Sequence, residues 1–112
     1  MLRGVVRLCG QPPLPALKAF LQGEQFYRRG QWDSALTRYD QASVLLPNDA
    51  ALQYKIATLL DQQLRPIEAL MRYKRFLHQL EIEKINAVGD AYAKQAEAIA
   101  HAKERIIVLE KR

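Results

Sequence analysis

Residues Gly23 to Pro47 read GEQFYRRGQWDSALTRYDQASVLLP, and residues Ala57 to Glu81, 34 positions further on, read ATLLDQQLRPIEALMRYKRFLHQLE. Set in phase, Gly23 returns as Ala57, Phe26 as Leu60, Ala35 as Ala69, Leu36 as Leu70, Arg38 as Arg72 and Tyr39 as Tyr73. Small, aromatic and aliphatic positions recur together, which isolated chance identities do not produce. In both copies the apolar residues fall at helical spacing, and turn residues divide each copy into two helices. A fixed period of this length means stacked units, each too small to bury its own apolar face.

These residues resemble the tetratricopeptide family. Its pattern runs small residue, aromatic three later, then Ala, an aromatic four beyond it and a closing Pro; Gly23, Phe26, Ala35, Tyr39 and Pro47 follow it here. The second copy follows with Ala57, Leu60, Ala69 and Tyr73, but carries Leu64 for Gly30 and has lost the closing Pro, with Glu81 and Ile82 at that end. The resemblance spans Ala16 to Glu83. It implies an all-α helical repeat of two helix-turn-helix pairs with a long C-terminal capping helix. The expected organisation is an N-terminal flexible arm over 1–13, a first repeat over 14–49, a second over 50–83 and the capping helix over 84–112.

Five helices follow from periodicity and punctuation. The first runs from about Leu14 to Arg29 and stops at Gly30, which accepts the left-handed backbone that ends a helix. Asp33 is the expected N-cap of the second, which ends before Pro47; Asn48 and Asp49 cap the third, over Ala50 to Gln63. Pro66 opens the fourth, which runs to about Leu80. Gly23 and Ala57 should let the paired backbones approach Ala35 and Ala69, with Tyr39 and Tyr73 filling the core. Trp32 sits at a turn and reads as structural.

The last third has a different rhythm. Ile85, Val88, Tyr92, Gln95, Ile99, Ala102, Ile106 and Leu109 alternate three and four apart, a heptad seam. Gly89 to Tyr92 resembles the start of a third repeat, but no turn residue follows Gln95, so one helix of about 26 residues, ~39 Å long, is expected. Terminal repeats are commonly atypical caps. The second reading pairs its distal half, through Ile99, Ala102, Ile106 and Leu109, with another chain as an oligomer or a subunit contact.

Composition bounds the function. At 112 residues, 49% hydrophobic and 26% charged, the chain has the size and balance of one ordinary globular domain. The net charge of +5 divides unevenly: +3 over residues 1–23, zero over 24–83 and +2 over 84–112. A nucleic-acid binder gathers basic groups on one face. The tightest group here, Arg72, Lys74 and Arg75, falls on a helix face expected to be solvated, so no nucleic-acid partner is expected. No apolar run is long enough to span a bilayer. The acid-free N-terminus has no continuous apolar core for secretion and no serine for a transit peptide, and Pro12, Pro13 and Pro15 suit an extended arm. Cys9 has no partner cysteine, and a reducing, cytoplasmic compartment fits best, with organelle targeting by the N-terminus as the alternative.

Chemistry finds no footing. His78 and His101 stand on different helices, neither spaced with a Ser, Cys or acid as nucleophile and base, and both read as ordinary helix positions. The five glycines are scattered, with no phosphate loop, and no Cys/His spacing suits a metal. No enzyme activity, cofactor or metal is expected.

What the resemblance implies is binding to another protein, through a concave surface lined by the first helix of each pair. The matching positions are Phe20, Glu24, Tyr27 and Arg28 on the first helix, and Ala51, Tyr54, Lys55, Thr58, Asp61 and Gln62 on the third. Aromatics beside an arginine make a hot-spot set. The competing account has Phe20 and Tyr54 packing against the proline arm or the C-terminal helix. Members that hold the C-terminal carboxylate of heat-shock chaperones use Lys and Asn where this chain has Phe20 and Glu24, so that clamp is absent. The expected role is a non-enzymatic interaction module binding a peptide or subunit, as adaptor or assembly factor. Its alternatives are a structural subunit held through the C-terminal helix, or a secretion or assembly chaperone.

Overall fold

The computed structural model describes residues 14–86 and 95–111, with side chains through residue 82 in the first segment. Within them are five α-helices and no strand: α1 (Leu14–Arg28), α2 (Trp32–Leu45), α3 (Ala50–Gln62), α4 (Pro66–Asn86) and α5 (Ala96–Glu110). Among the described residues the fold is all-α, an arrangement of helix pairs that fits a TPR-like helical repeat. By its internal contacts the chain divides between Pro47 and Asn48 into two units. The first holds α1 packed on α2; in the second, α4 packs against both α3 and α5. The arm over 1–13 with Cys9, Val88 and Tyr92 of the seam, and the third-repeat start from Gly89 lie outside the described residues.

In the first unit α1 buries Ala16, Ala19 and Gly23, a stripe of small residues at helical spacing. The stripe lets α2 come close. A Cβ added at Gly23 would stand 2.7 Å from Cδ1 of Tyr39 and 3.3 Å from the carbonyl oxygen of Ala35. Glycine is therefore required here by the neighbouring ring, not by its own backbone angles. Ala35 and Tyr39 are fully buried with Ala42, and Leu36 nearly so.

The second unit is built the same way with larger side chains. Ile56, Ala57, Leu59, Ala69, Tyr73 and Phe76 are fully buried, with Leu60 and Leu80 close behind. Each large side chain in this set contributes roughly 1.5–3 kcal/mol by leaving water. Ile99, Ala102 and Leu109 of α5 are also buried.

The two hairpin turns are copies of each other. Gln31 donates its N–H to the Phe26 carbonyl and Gly30 to that of Tyr27, both at 3.0 Å. Thirty-four residues later Arg65 donates to Leu60 at 3.0 Å and Leu64 to Asp61 at 3.1 Å. Both turns place their pivot residue at positive φ, 74° for Gly30 and 58° for Leu64. That is the left-handed closure in which the last carbonyls of a helix find donors.

Several boundaries differ from the sequence expectation. Asp49 does cap α3, its side chain accepting the Leu52 N–H at 3.0 Å, and Pro66 opens α4. Asp33 is not an N-cap: Gln31 holds that place without a side-chain bond, and Asp33 lies in the first turn of α2. The compact turn at Gly30 lets the helix restart two residues earlier. Helix α4 continues past Leu80 to Asn86, because no proline closes the second copy. Of the expected helix of about 26 residues, 87–94 lie outside the described residues. Gln95 is the N-cap of a 15-residue α5, with φ −101° and ψ 16° outside helical values.

Candidate protein-interaction faces

Each unit carries a share of the residues expected to meet a partner. On α1, Tyr27 is 36% exposed and Arg28 is exposed, while Phe20 and Glu24 are half-buried. Phe20 lies with its ring centroid 5.8 Å from that of Tyr39. Glu24 accepts the Tyr39 hydroxyl proton at 3.0 Å. Burial, and then this bond to a carboxylate, push the Tyr39 phenol well above its ordinary range. Tyr27 meets Trp32 edge to face at 5.1 Å. That contact holds the Tyr27 ring in one orientation while leaving part of it in water, so little side-chain entropy remains to be lost on binding.

The α3 share is more heavily engaged. Ala51 and Gln62 are exposed, and Tyr54, Lys55, Thr58 and Asp61 are half-buried. The Thr58 hydroxyl donates to the Lys55 carbonyl at 2.9 Å. Tyr54 lies 4.8 Å from Phe76 and 6.2 Å from Tyr73, centroid to centroid. Its hydroxyl shares a hydrogen bond of 2.8 Å with Nδ1 of His101 on α5, and burial raises the phenol above its ordinary value. Of the two accounts of Tyr54, packing against the C-terminal helix is the one observed.

Asp61 is the centre of a small polar network. Nε and Nη2 of Arg105 donate to its two carboxylate oxygens at 2.7 and 2.8 Å, and the Tyr73 hydroxyl donates to Oδ2 at 2.9 Å. The Arg105 guanidinium holds the Asp61 carboxyl below its ordinary range, and the Tyr73 hydroxyl adds to this against the opposing effect of burial. Tyr73 is pushed the other way, first by burial and then by its bond to Asp61. The two equivalent tyrosines thus choose different partners. Tyr39 reaches an acid one position past Gly23, and Tyr73 one four positions past Ala57.

The C-terminal stripe is used within the chain. Ile99, Ala102 and Leu109 are buried and Ile106 half-buried, while Ile107 and Val108, beside the stripe, are 56% and 38% exposed. The basic group on α4 is also divided. Arg72 donates to the buried amide oxygen of Gln53 at 2.9 Å, and Lys74 pairs with Glu110 at 2.7 Å. Sequence reasoning missed His101 and Arg105, which are half-buried and reach α3. The available signal was their spacing of four, one turn apart on the side of α5 that carries Ala102.

Two helix pairs with matching turns and a further helix define a helical repeat protein. Residues 23–63 match the family model of the TPR repeat, and the five helices, packed in adjacent pairs, fit a TPR-like repeat protein. Repeats of this family mediate protein–protein interactions and are typically non-enzymatic. Comparison with curated proteins finds no match. Among the described residues, no helix is long and apolar enough to cross a membrane.

Proposed function

We propose that this chain is a non-enzymatic protein-interaction module, an adaptor or assembly factor, that binds a peptide or subunit of another protein, with one candidate face on α1 in the first unit and another on α3 in the second. The observation that carries this reading is Tyr27: a ring braced by Trp32, partly exposed, and followed directly by the exposed Arg28. An oriented aromatic beside a guanidinium is the residue pairing in which binding energy concentrates at interfaces. Tyr54 and Asp61 supply the corresponding chemistry on α3.

The test is affinity capture by the intact chain followed by mass spectrometry, repeated with Tyr27→Ala and with Tyr27→Ala combined with Arg28→Ala. A genuine partner is retained in fixed proportion by the parent. Tyr27→Ala alone should weaken its binding by about 1 kcal/mol or more, a fivefold rise in Kd, with helicity unchanged. Unchanged binding by the double variant would remove α1 from the interface and with it the present reading. The subunit reading, by contrast, requires a partner whose retention depends on the exposed residues of α5.

A further inference from the structure

The second unit already holds an occupant on its own interaction face. His101 and Arg105 stand one turn apart on α5 and meet Tyr54 and Asp61, two of the α3 residues expected to contact a partner. Arg105 grips both carboxylate oxygens of Asp61, at 2.7 and 2.8 Å. A carboxylate oriented by the Tyr73 hydroxyl and met in this forked geometry selects a planar guanidinium over a point charge. Building on the interaction-module reading, we propose that α5 is a displaceable resident of this face, and that the partner it excludes is a helix whose own arginine takes the place of Arg105 on Asp61.

The contact has the character of a latch. The side chains of Arg105 and Asp61 are 26% and 17% exposed, so water and a competing group can reach the pair. An open pocket of about 340 Å³, lined by Thr58, Gln62, Tyr73 and His101, adjoins Asp61. An incoming side chain can enter it before any buried residue moves. The Lys74–Glu110 pair, which also ties α5 to α4, is about half exposed on both sides and holds weakly. What displacement must replace is the apolar stripe of Ile99, Ala102 and Leu109. The competing helix therefore carries an aliphatic residue, a small residue three later, an arginine three beyond that and an aliphatic four beyond the arginine. The resident helix competes from within the same chain, so external affinity is reduced by the fraction of time the latch is shut.

A fluorescein-labelled synthetic peptide of residues 95–112, which carries this pattern, tests the latch on the full chain without any external partner. Arg105→Ala in the chain weakens the resident helix but leaves Asp61 ready for the peptide's arginine. Fluorescence anisotropy should then show the peptide binding at least tenfold tighter than to the parent. Adding Asp61→Asn to that variant should abolish the gain. If circular dichroism shows that Arg105→Ala has lost helix, Arg105→Lys is read in its place, with a gain of at least threefold that again needs Asp61. Equal binding to parent and arginine variant, or a gain that survives Asp61→Asn, overturns the proposal. A peptide that binds as expected while affinity capture yields no partner would leave the latch standing and sink the module reading; the reverse pattern separates the two equally well.

Discussion

Leu64 adopts the left-handed backbone of Gly30, its counterpart one repeat earlier, with φ of 58° against 74°. The hydrogen bonds around the two residues match donor for donor and acceptor for acceptor. The second hairpin has kept the turn and lost the residue best suited to it. An L-residue in this region meets its own carbonyl, at roughly 1–2 kcal/mol.

Replacing Leu64 with glycine should therefore stabilise the protein. The side chain is 80% exposed, so little burial is lost. Glycine's greater freedom in the unfolded chain offsets about 0.5–1 kcal/mol of the relieved strain. A net gain of up to about 1 kcal/mol is expected, which in a chain of this size raises Tm by about 3–6 °C. Gly30→Leu should lower it by a similar amount. Thermal melts in which Leu64→Gly is less stable than the parent would show that the left-handed turn carries no strain.

What the sequence discloses follows the range of the interactions. Asp49 caps α3 and Pro66 opens α4 through chemistry within three residues, and both are legible in the chain. Gly23, Ala57, Tyr39 and Tyr73 are legible because the period of 34 repeats them in phase. Asp33 misleads because a capping residue and a first-turn acid look alike, and only the tightness of the turn at Gly30 separates them. Over the described part of the heptad, periodicity gives the apolar stripe of α5 but not the helix start at Gln95, nor whether the stripe meets its own chain or another. Arg105 and His101 contact residues 44 and 47 positions away, and no local pattern marks contacts that distant. Of the positions that the repeat points to on α1 and α3, Tyr27, Arg28, Ala51 and Gln62 are exposed, whereas the helix already engaged with Tyr54 and Asp61 is visible only in the fold.

The close crossing of α1 and α2 should be intolerant of volume. Even one carbon at Gly23 would press on the ring of Tyr39 at 2.7 Å, and a leucine cannot be accommodated without moving the helix. Gly23→Leu is expected to cost about 1–3 kcal/mol or more, as overpacking does. Ala69, fully buried on α4, should respond to leucine in the same way. Urea melts that leave both variants as stable as the parent would contradict the packing described for these helices.

The last expectation concerns acid. Arg105 and then Tyr73 hold the Asp61 carboxyl below its ordinary value of 3.8 in the folded chain. The folded state therefore binds fewer protons at this group than the unfolded state does in the window between the two values, and stability rises with pH there. The contribution is complete above the ordinary value and is lost as pH falls through the lower folded one. Asp61→Asn keeps an acceptor for Tyr73 but removes the charge facing Arg105. It should destabilise by about 1–2 kcal/mol near neutral pH, between the values for exposed and buried pairs. Urea melts of parent and variant at about pH 7, 4 and 3 measure the difference directly, with the other carboxylates common to both. The gap should narrow as the pH falls. A gap that stays constant to about pH 3 would mean that Asp61 steadies α3 by shape alone, with its charge contributing nothing to the hold on α5.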